Sequence, residues 1–360
     1  MSAHLHARDV SRSKEYPWYA TSVGDQLTPE VREVLHDYAG VGAVVGPSRK
    51  EGGKENEDED EDEMVKHVYA VRDAAWEIYP WPCIGLFFFL QFSLSTHPDY
   101  ETILRTLKHD PAARLLDLGT CLGQDIRKLI HDGASPTQLY GSDVFPEFEG
   151  AGHLLFRDAE KLAGHFIVAD VFDESVNSAL IRTRGSWDVV ALFLVLHVWD
   201  LDTQVRACKA VLLLLKAREG ACIVGLQTGA LQPKHIPLWP PFKTDGKEEF
   251  VYRHSVDTFR LMWEGVGKEL GVPLDIAVEY RRAPGQPLKT GSNVVFGGDG
   301  NLSFFFKFKF WCLVSPEADG SARRFLMHLP RSARHEYKLA YVVTLSAATV
   351  WLDEGLWYWH

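Results

Sequence analysis

The sequence has few cysteines, and none of them lies at a spacing typical of a metal site. Five cysteines are scattered singly through 360 residues, and no two form a Cys-x-x-Cys arrangement. This excludes the usual zinc sites, and an odd number argues against a closed set of disulfides. We expect most of them to be small buried residues of a protein in a reducing compartment. They are Cys83, Cys121, Cys208, Cys222 and Cys312.

Long hydrophobic runs are also missing. The longest apolar stretches are residues 84–92 and 211–215, and residues 1–14 mix His, Arg, Asp and Ser without an apolar segment. A membrane-spanning helix needs roughly 20 apolar residues. A secretory signal needs an apolar segment after its charged start. We therefore expect a cytoplasmic protein with no membrane partner.

Basic residues are outnumbered by acidic ones. The chain has 38 Lys and Arg against 49 Asp and Glu, which gives a formal net charge of −11. Much of the excess lies in residues 51–63, where nine carboxylates accompany the single Lys54. Nothing basic enough to attract a nucleic-acid backbone or an anionic membrane remains. The charge balance predicts a small-molecule substrate and no nucleic-acid partner.

Residues 1–110 are predicted to form a helical cover. The pair Thr28-Pro29 is typical of a helix start, with Thr as the cap and Pro at the first helical position. Apolar periodicity indicates a second helix around Trp76 and a third around Leu104. Residues 50–63 are too charged to bury apolar surface, so we expect them to form a disordered loop.

Residues 111–314 alternate short apolar strands with amphipathic helices, which is typical of a parallel sheet covered by helices. The predicted fold class is α/β, with a Rossmann-like, mostly parallel sheet and helices on both faces. Residues 315–360 carry weaker signals and form an extension of unknown structure. Strands are predicted at 114–118, 138–142, 165–169, 187–195, 221–227, 274–280 and 302–314, and helices at 124–131, 204–216 and 255–270.

A glycine-containing turn joins the first predicted strand to the next helix. It runs from Asp117 through Gly119, Cys121 and Gly123 to Gln124. Glycine permits positive φ and close approach of a ligand, and the helix start offers free N–H groups. A dinucleotide site would need glycine where Cys121 and Gln124 stand. Asp117 instead suits a cation such as the ammonium group of S-adenosylmethionine, which has no phosphate.

Two further acids follow the next two predicted strands. Asp143 lies 24 residues after Gly119, and its carboxylate can accept both ribose hydroxyl hydrogens of a nucleoside cofactor. We count the adjacent Val144 with the cofactor-binding residues. Asp170 can accept from an adenine amino group while Val171 packs against the ring. Either acid alone is more often a turn or cap residue, but acids ending successive strands outline a ligand crevice.

From about residue 83 to residue 283 the chain resembles the class I S-adenosylmethionine-dependent methyltransferases. Within them it is most similar to the fungal methyltransferases of polyketide and meroterpenoid biosynthetic clusters. The most diagnostic blocks are Gly123-Gln124-Asp125 and Tyr140-Gly141-Ser142-Asp143. Cys121 departs from the broad class, which has glycine there. The other matching blocks are Cys83-Ile84, Phe89-Leu90, His97-Pro98, Leu116-Asp117-Leu118-Gly119, Phe156-Arg157-Asp158, Ala169-Asp170-Val171-Phe172-Asp173 and Tyr252-Arg253-His254-Ser255.

The resemblance implies a sheet of about seven strands whose last strand is antiparallel, with the N-terminal cover over the substrate. It implies S-adenosyl-L-methionine as the cofactor and methylation of an oxygen atom on a small secondary metabolite, at a carboxyl group or a phenol. No metal is expected. A homodimer is left open as the assembly.

His197, after the fourth predicted strand, is the first candidate for a catalytic residue, and His254 is the second. A carboxylate acceptor needs no base, whereas a neutral phenol would gain from one. A structural histidine, hydrogen-bonded at the end of a strand, is the alternative interpretation. Trp81 and residues 87–89 either line an apolar substrate pocket or pack the cover onto the sheet.

Three other functions can be compared with this one. An Asn/Asp-Pro-Pro-aromatic signature, expected of enzymes that methylate amino groups of nucleic acids and glutamine, is absent after the fourth strand. The glycine turn leaves an NAD-dependent dehydrogenase as an alternative, which would bind NAD rather than S-adenosylhomocysteine. A pseudoenzyme that binds the cofactor without turnover is also kept, because of Cys121 and the unassigned C-terminal segment.

Overall fold

The computed structural model describes residues 10–42, 55–243, 248–280 and 301–310. The predicted extension at 315–360 and residues 50–54 of the predicted acidic loop lie outside these residues. Within the described residues the α-helices are α1 (Pro29–Asp37), α2 (Glu55–Ile78), α3 (Pro82–Gly85), α4 (Tyr100–His109), α5 (Gln124–His131), α6 (Glu147–Phe156), α7 (Ala179–Arg182), α8 (Leu201–Leu212) and α9 (Val256–Leu270). The strands are β1 (Leu115–Leu118), β2 (Leu139–Asp143), β3 (Phe166–Val168), β4 (Val189–Phe193), β5 (Cys222–Ala230), β6 (Lys234–Pro237), β7 (Phe250–Arg253), β8 (Leu274–Tyr280) and β9 (Asn301–Phe310).

One sheet of seven strands organises the main body of the chain, in the order β3-β2-β1-β4-β5-β9-β8. Strands β1 to β5 pair in parallel, while β9 is antiparallel to both β5 and β8. The predicted mostly parallel sheet with an antiparallel last strand is confirmed. The strand order reverses between β1 and β4, and ligands of open α/β sheets bind at such a point, outside the carboxyl ends of the strands.

Both faces of the sheet are buried, as the continuous apolar strands predict. Neighbouring residues of β5 point to opposite faces, because side chains alternate along a strand. Ile223 packs with Trp263 of α9, whereas Val224 packs with Leu104 of α4 and Leu129 of α5. The helices therefore hold the sheet from two sides and leave its carboxyl edge for a site.

The acidic segment corrects one prediction. Residues 55–63, expected to be part of a disordered loop, belong to α2, a single helix of 24 residues. Glutamate is a strong helix former, and acidic side chains are favoured at the positive end of the helix dipole. Farther along the same helix, Val68 and Trp76 are fully buried. The buried part thus anchors a helix that extends back through the charged segment.

The rest of the cover packs around this helix. The start of α1 is confirmed, since the Thr28 hydroxyl accepts from the Val31 N–H at 3.2 Å. Phe87 and Phe89 are buried in the core of the cover, and the Phe87 ring lies 5.2 Å from that of Tyr69. For these two phenylalanines the structure supports the packing interpretation rather than a pocket wall.

A two-stranded hairpin of β6 and β7 is not among the predicted elements. Its strands have only four residues each, too few for a clear periodic signal. Phe242, between the two strands, stacks on Trp81 of the cover at 5.3 Å and on Trp18 at 5.7 Å. The N–H of Tyr252 donates to the carbonyl of Trp199 at 3.0 Å. The hairpin therefore connects the cover to the carboxyl edge of the sheet.

A buried ion pair ties the cover to the turn after β1. Asp158 accepts from Arg127 Nε and Nη2, both at 2.9 Å. His153 lies 2.8 Å from the same carboxylate, and the Tyr38 hydroxyl donates to it at 2.8 Å. Arg127 Nη1 also donates to the Leu122 carbonyl at 2.9 Å. One carboxylate thus joins α1, α5 and α6 to the turn.

We expect Asp158→Asn to lower the free energy of unfolding by about 3–5 kcal/mol, because it leaves the buried Arg127 charge uncompensated. Burial alone would raise the pKa of Asp158, but Arg127, His153 and Tyr38 hold it below its usual value. The stability that this pair supplies is therefore present above the unfolded-state pKa of about 4 and is lost as the pH falls below it.

Urea denaturation at pH 7 and pH 3.5 measures this difference, which should shrink at the lower pH. Asp37→Asn is the control, because Asp37 is exposed on the neighbouring helix and should change stability by less than about 0.5 kcal/mol. Equal stability of wild type and Asp158→Asn at pH 7 would contradict the expectation.

Candidate active site

The turn between β1 and α5 requires glycine at two positions. Gly119 and Gly123 have φ of 77° and 69°, in the left-handed region. A Cβ on Gly119 would lie 2.4 Å from Val195, and one on Gly123 would lie 2.3 Å from Arg127. Cys121 also has a positive φ of 51°, a conformation that favours glycine. Cys121 therefore adopts the left-handed backbone conformation that glycine, the usual residue of the class at this position, would adopt.

The first two predicted acids meet at this turn. Asp117 is the third of the four residues of β1 and accepts from the Thr120 hydroxyl at 2.7 Å. Asp143 ends β2 and accepts from the Cys121 N–H at 3.0 Å through one oxygen and from the Phe145 N–H at 3.1 Å through the other. The turn is thus closed over the ends of two neighbouring parallel strands.

Three carboxyl groups at this turn have raised pKa values. Burial and the nearby Asp143 raise the pKa of Asp117 to about 6. Burial raises the pKa of Asp143, and burial together with Asp117 raises that of Asp125. Asp125 accepts from the Leu94 N–H at 2.9 Å, which ties the cover to the start of α5. Negative charge concentrated in a buried space favours a cationic ligand.

The remaining predicted cofactor residues lie around the same edge. Asp170 follows β3 and accepts from the Phe172 N–H at 2.9 Å, the turn geometry that an isolated Asp favours. Val171 is half-buried, and Val144 is 46% exposed. The side-chain oxygen of Gln124 is buried and has no hydrogen-bond partner among the described residues. A shallow pocket beside the turn is lined by Thr120, Cys121, Asp143, Phe145, Pro146, Glu149, Phe166, Ile167 and Val168.

His197 lies after β4 in a short 3-10 turn, Leu196–Val198. Its ring is half-buried, and Nδ1 has no hydrogen-bond partner among the described residues. Burial and the charge of Arg253 lower the pKa of His197 to about 3, against a smaller opposing effect of Gln227. Arg253 donates to the carbonyl of the same histidine. The imidazole is therefore neutral at any physiological pH.

His254 directly follows Arg253 in the chain and lies in the core beside α9. Its Nδ1 is 3.1 Å from the Thr258 hydroxyl, and the ring packs against Tyr252 and Phe259 at 4.7 and 5.5 Å. Burial lowers its pKa to about 4. These contacts are those of a packed structural histidine, and the structure does not bring it to the glycine turn.

Two polar residues beside His197 are missing from the sequence predictions of site residues. Gln227 is 1% exposed near the end of β5, and Arg253 is 1% exposed at the end of β7. The sequence does contain a signal for Gln227. Like Asp117, it is a polar residue that comes directly after a run of apolar strand residues. Arg253 belongs to one of the blocks that carry the resemblance, without a role assigned to it.

The strand order, the glycine turn and the acids that end successive strands define a class I methyltransferase site. No helix in the described residues is long and apolar enough to cross a membrane. Comparison with known proteins agrees with the class. Residues 59–90 match the family described as "Meroterpenoid methyltransferase N-terminal domain".

Several fungal proteins are similar over most of the chain. O-methyltransferase atr3 of Stereocaulon alpinum is 34% identical over 281 residues, 78% of this chain and 74% of that protein. O-methyltransferase phiE of a fungal species is 34% identical over 268 residues, 74% of this chain and 80% of that protein. Methyltransferase ausD of Aspergillus calidoustus is 40% identical over 218 residues, 60% of this chain and 75% of that protein.

Among solved structures, a methyltransferase of Methanosarcina mazei aligns with 15% identity and a TM-score of 0.40, over 59% of this chain and 97% of that one. The chain belongs to the family of fungal S-adenosylmethionine-dependent methyltransferases that includes atr3 and phiE. It is accordingly a methyltransferase with S-adenosylmethionine as cofactor, and the dehydrogenase alternative is excluded.

We expect Asp117→Asn to stabilise the ligand-free protein above pH 6, by about 1–3 kcal/mol at about 1.4 kcal/mol per pKa unit. The folded state prefers protonated Asp117, because its pKa is raised to about 6. The destabilising effect of the ionised form is therefore absent well below pH 4, grows between about pH 4 and pH 6, and is complete above pH 6. Urea denaturation at pH 3.5 and pH 8 should show the gain at pH 8 and little of it at pH 3.5. A variant less stable than wild type at pH 8 would contradict this.

Proposed function

We propose that this enzyme transfers the methyl group of S-adenosylmethionine to a carboxyl oxygen of a small secondary metabolite. Two of its relatives are named O-methyltransferases, and the family description at residues 59–90 names meroterpenoids. The observation that carries the choice of a carboxyl group is the neutral, weakly basic imidazole of His197.

The cofactor roles follow from the positions of the acids. We assign Asp117 to the ammonium group, Asp143 to the ribose hydroxyls and Asp170 to the adenine amino group, with Val144 and Val171 against the base. Gly119 and Gly123 supply backbone that a ligand can approach closely, and Gln124 offers its unpartnered amide oxygen. The buried, negatively charged turn supports this assignment, because the cofactor carries two positive groups and no phosphate.

The chain's own residues have to align the acceptor and exclude water. S-adenosylmethionine, when bound, supplies a methyl group that is already activated by the sulfonium. Val195 lies against Gly119, so the turn that carries His197 adjoins the cofactor turn. Trp81 of the cover and Phe242 of the hairpin are in contact and shield this edge of the sheet. Holding the acceptor oxygen in line is then the main contribution of the protein.

The low pKa of His197 argues against a phenol acceptor. A phenol has a pKa of about 10, and the His197 ring has a pKa of about 3. Proton transfer from one to the other is unfavourable by roughly seven pKa units, or about 10 kcal/mol. A carboxylate is already ionised at neutral pH and needs no base. We therefore assign His197 a positioning role beside the acceptor, without proton transfer.

Two further assignments are proposals of the same kind. We place the enzyme in the cytoplasm, in keeping with the scattered cysteines of its sequence, and we keep a homodimer as the proposed assembly. Size-exclusion chromatography with light scattering decides the second, since a monomer at micromolar concentration would exclude it.

We expect Asp143→Ala to weaken binding of S-adenosylhomocysteine at least tenfold. The change removes a charged acceptor of two hydrogen bonds, each worth about 1.5–3 kcal/mol. Calorimetric titration measures the loss. Asp173→Ala is the control, because Asp173 is exposed in the same Asp170 block and should leave the affinity within twofold. Unchanged binding by Asp143→Ala would place the cofactor elsewhere.

The acceptor group can be identified with 2,4-dihydroxybenzoic acid, which offers a carboxyl group and two phenols. We expect a methyl ester, which alkali hydrolyses, rather than a methyl ether, which alkali leaves intact. His197→Gln should keep its rate within about tenfold, because it retains hydrogen bonding and no proton transfer is lost. Mass spectrometry before and after alkaline hydrolysis and a pH–rate profile between pH 5 and 9 provide the measurements.

An ether product, together with a loss of about 10²–10⁴-fold in His197→Gln, would show general-base catalysis on a phenol. If a histidine acted as general base with its ordinary pKa of about 6.5, the rate would rise with pH around that value. Because the pKa of His197 is about 3, the rise would instead lie near pH 3. Cofactor binding without turnover of this probe or related hydroxybenzoic acids would contradict the proposed carboxyl methylation.

A further inference from the structure

Gln227 is a buried amide in an apolar strand. Its side chain is 1% exposed, and neither its nitrogen nor its oxygen makes a hydrogen bond of acceptable geometry among the described residues. Other β5 residues before it, such as Ile223, Val224 and Leu226, are buried hydrophobic residues. Burying an amide without partners is unfavourable, so a residue of this kind suggests a bound polar group.

The position of Gln227 brings it beside His197. Leu226, directly before it, is the last β5 residue paired with β4, opposite Phe193. The N–H of Leu194 then donates to the Leu226 carbonyl at 2.8 Å, and the chain continues to His197. The amide of Gln227 is close enough to affect the titration of the imidazole. Gln227 therefore lies in β5 just past its pairing with β4, and His197 follows β4. The two side chains lie together at the carboxyl edge of the sheet.

The surroundings hold this pair rigidly. Gln204 on α8 donates to the carbonyls of Trp199 and Tyr252, at 2.9 and 3.0 Å, which fixes the hairpin against the chain after β4. Arg253 donates to the His197 carbonyl, and burial lowers its pKa only to about 10, so it is a cation at neutral pH. Its charge depresses the pKa of the His197 ring, so positive potential reaches the place where the ring lies.

The pair also adjoins the cofactor turn. Val195, two residues before His197, would lie 2.4 Å from a Cβ on Gly119. A group bound by Gln227, beside His197, is therefore next to the turn that we assign to the cofactor. A positive potential and unused hydrogen-bonding atoms at this place suit an anionic oxygen.

We propose that Gln227 is an acceptor-binding residue that also orients His197. Its amide oxygen accepts from the imidazole N–H, and its amide nitrogen donates to one oxygen of the acceptor carboxylate. The other carboxylate oxygen forms the new O–C bond as the C–S bond of the cofactor breaks, and no proton moves. This proposal rests on the proposed carboxyl methylation and adds the residue that recognises the acceptor.

Two variants test the role, with 2,4-dihydroxybenzoic acid as the probe. Gln227→Leu should raise KM for the probe at least tenfold, with a smaller change in kcat and with S-adenosylhomocysteine affinity within twofold. Gln227→Glu should be poorly active at pH 8, because its charge repels a carboxylate. Its activity should recover as the pH falls and the new carboxyl group becomes protonated, since a protonated Glu can donate as the amide does. The activity of the wild type should not rise in this way as the pH falls.

Gln138→Leu is the matched control, because Gln138 is a buried glutamine at the opposite edge of the sheet. Its amide donates to the carbonyls of Asp110 and Ala113, at 2.8 and 3.0 Å. This variant should lower the melting temperature and leave KM and the pH profile unchanged. If Gln227→Leu does not fold, the pH profile of Gln227→Glu decides the question.

Different outcomes overturn the two proposals. A wild type that esterifies the probe, with Gln227 variants of unchanged KM and pH profile, would overturn the role of Gln227 and leave the function intact. A wild type that makes only an ether, or does not methylate the probe, would overturn the proposed carboxyl methylation and this inference with it.

Discussion

The buried ion pair of Arg127 and Asp158 is the interaction on which the cofactor end of the molecule depends. It joins three helices, and Arg127 also donates to the carbonyls of Leu122 and Gly123. The fully buried Arg127 guanidinium therefore fixes the turn after β1 through hydrogen bonds to two of its carbonyls. In the turn that this pair contacts, the Cys121 N–H donates to the carboxylate of Asp143, and Cys121 has a left-handed backbone.

The charges of the site are divided between its two sides. The buried Asp117 and Asp125 and the half-buried Asp143 gather near the ends of β1 and β2, whereas the Arg253 cation donates to the carbonyl of His197, after β4. On the proposed function, a cationic methyl donor and an anionic acceptor would each be drawn to the side of opposite sign. The reversal of strand order between β1 and β4 brings these two sides of the sheet together.

This arrangement is maintained at the expense of stability. A carboxyl group with a pKa near 6 and an amide without partners both destabilise the ligand-free protein. The fold tolerates them because the sheet is covered by large apolar clusters on both faces and the cover adds a third. Destabilising polar groups are expected where a site must bind charged reactants, and rarely elsewhere in a core.

The sequence by itself determined the strand–turn–helix unit around Gly119 and the position of the acids that follow the strands. Helix α5 begins and ends where its periodicity predicts, because glycine turns, apolar strands and amphipathic helices are local signals. Only the tertiary structure decided that residues 55–63 continue a helix, that β6 and β7 form a hairpin, and that burial and Arg253 lower the pKa of His197. It alone also placed Gln227 and Arg253 beside that histidine. The burial, the pKa and the hydrogen-bond partners of a side chain depend on residues far apart along the chain, and local sequence patterns do not show which of these residues come into contact.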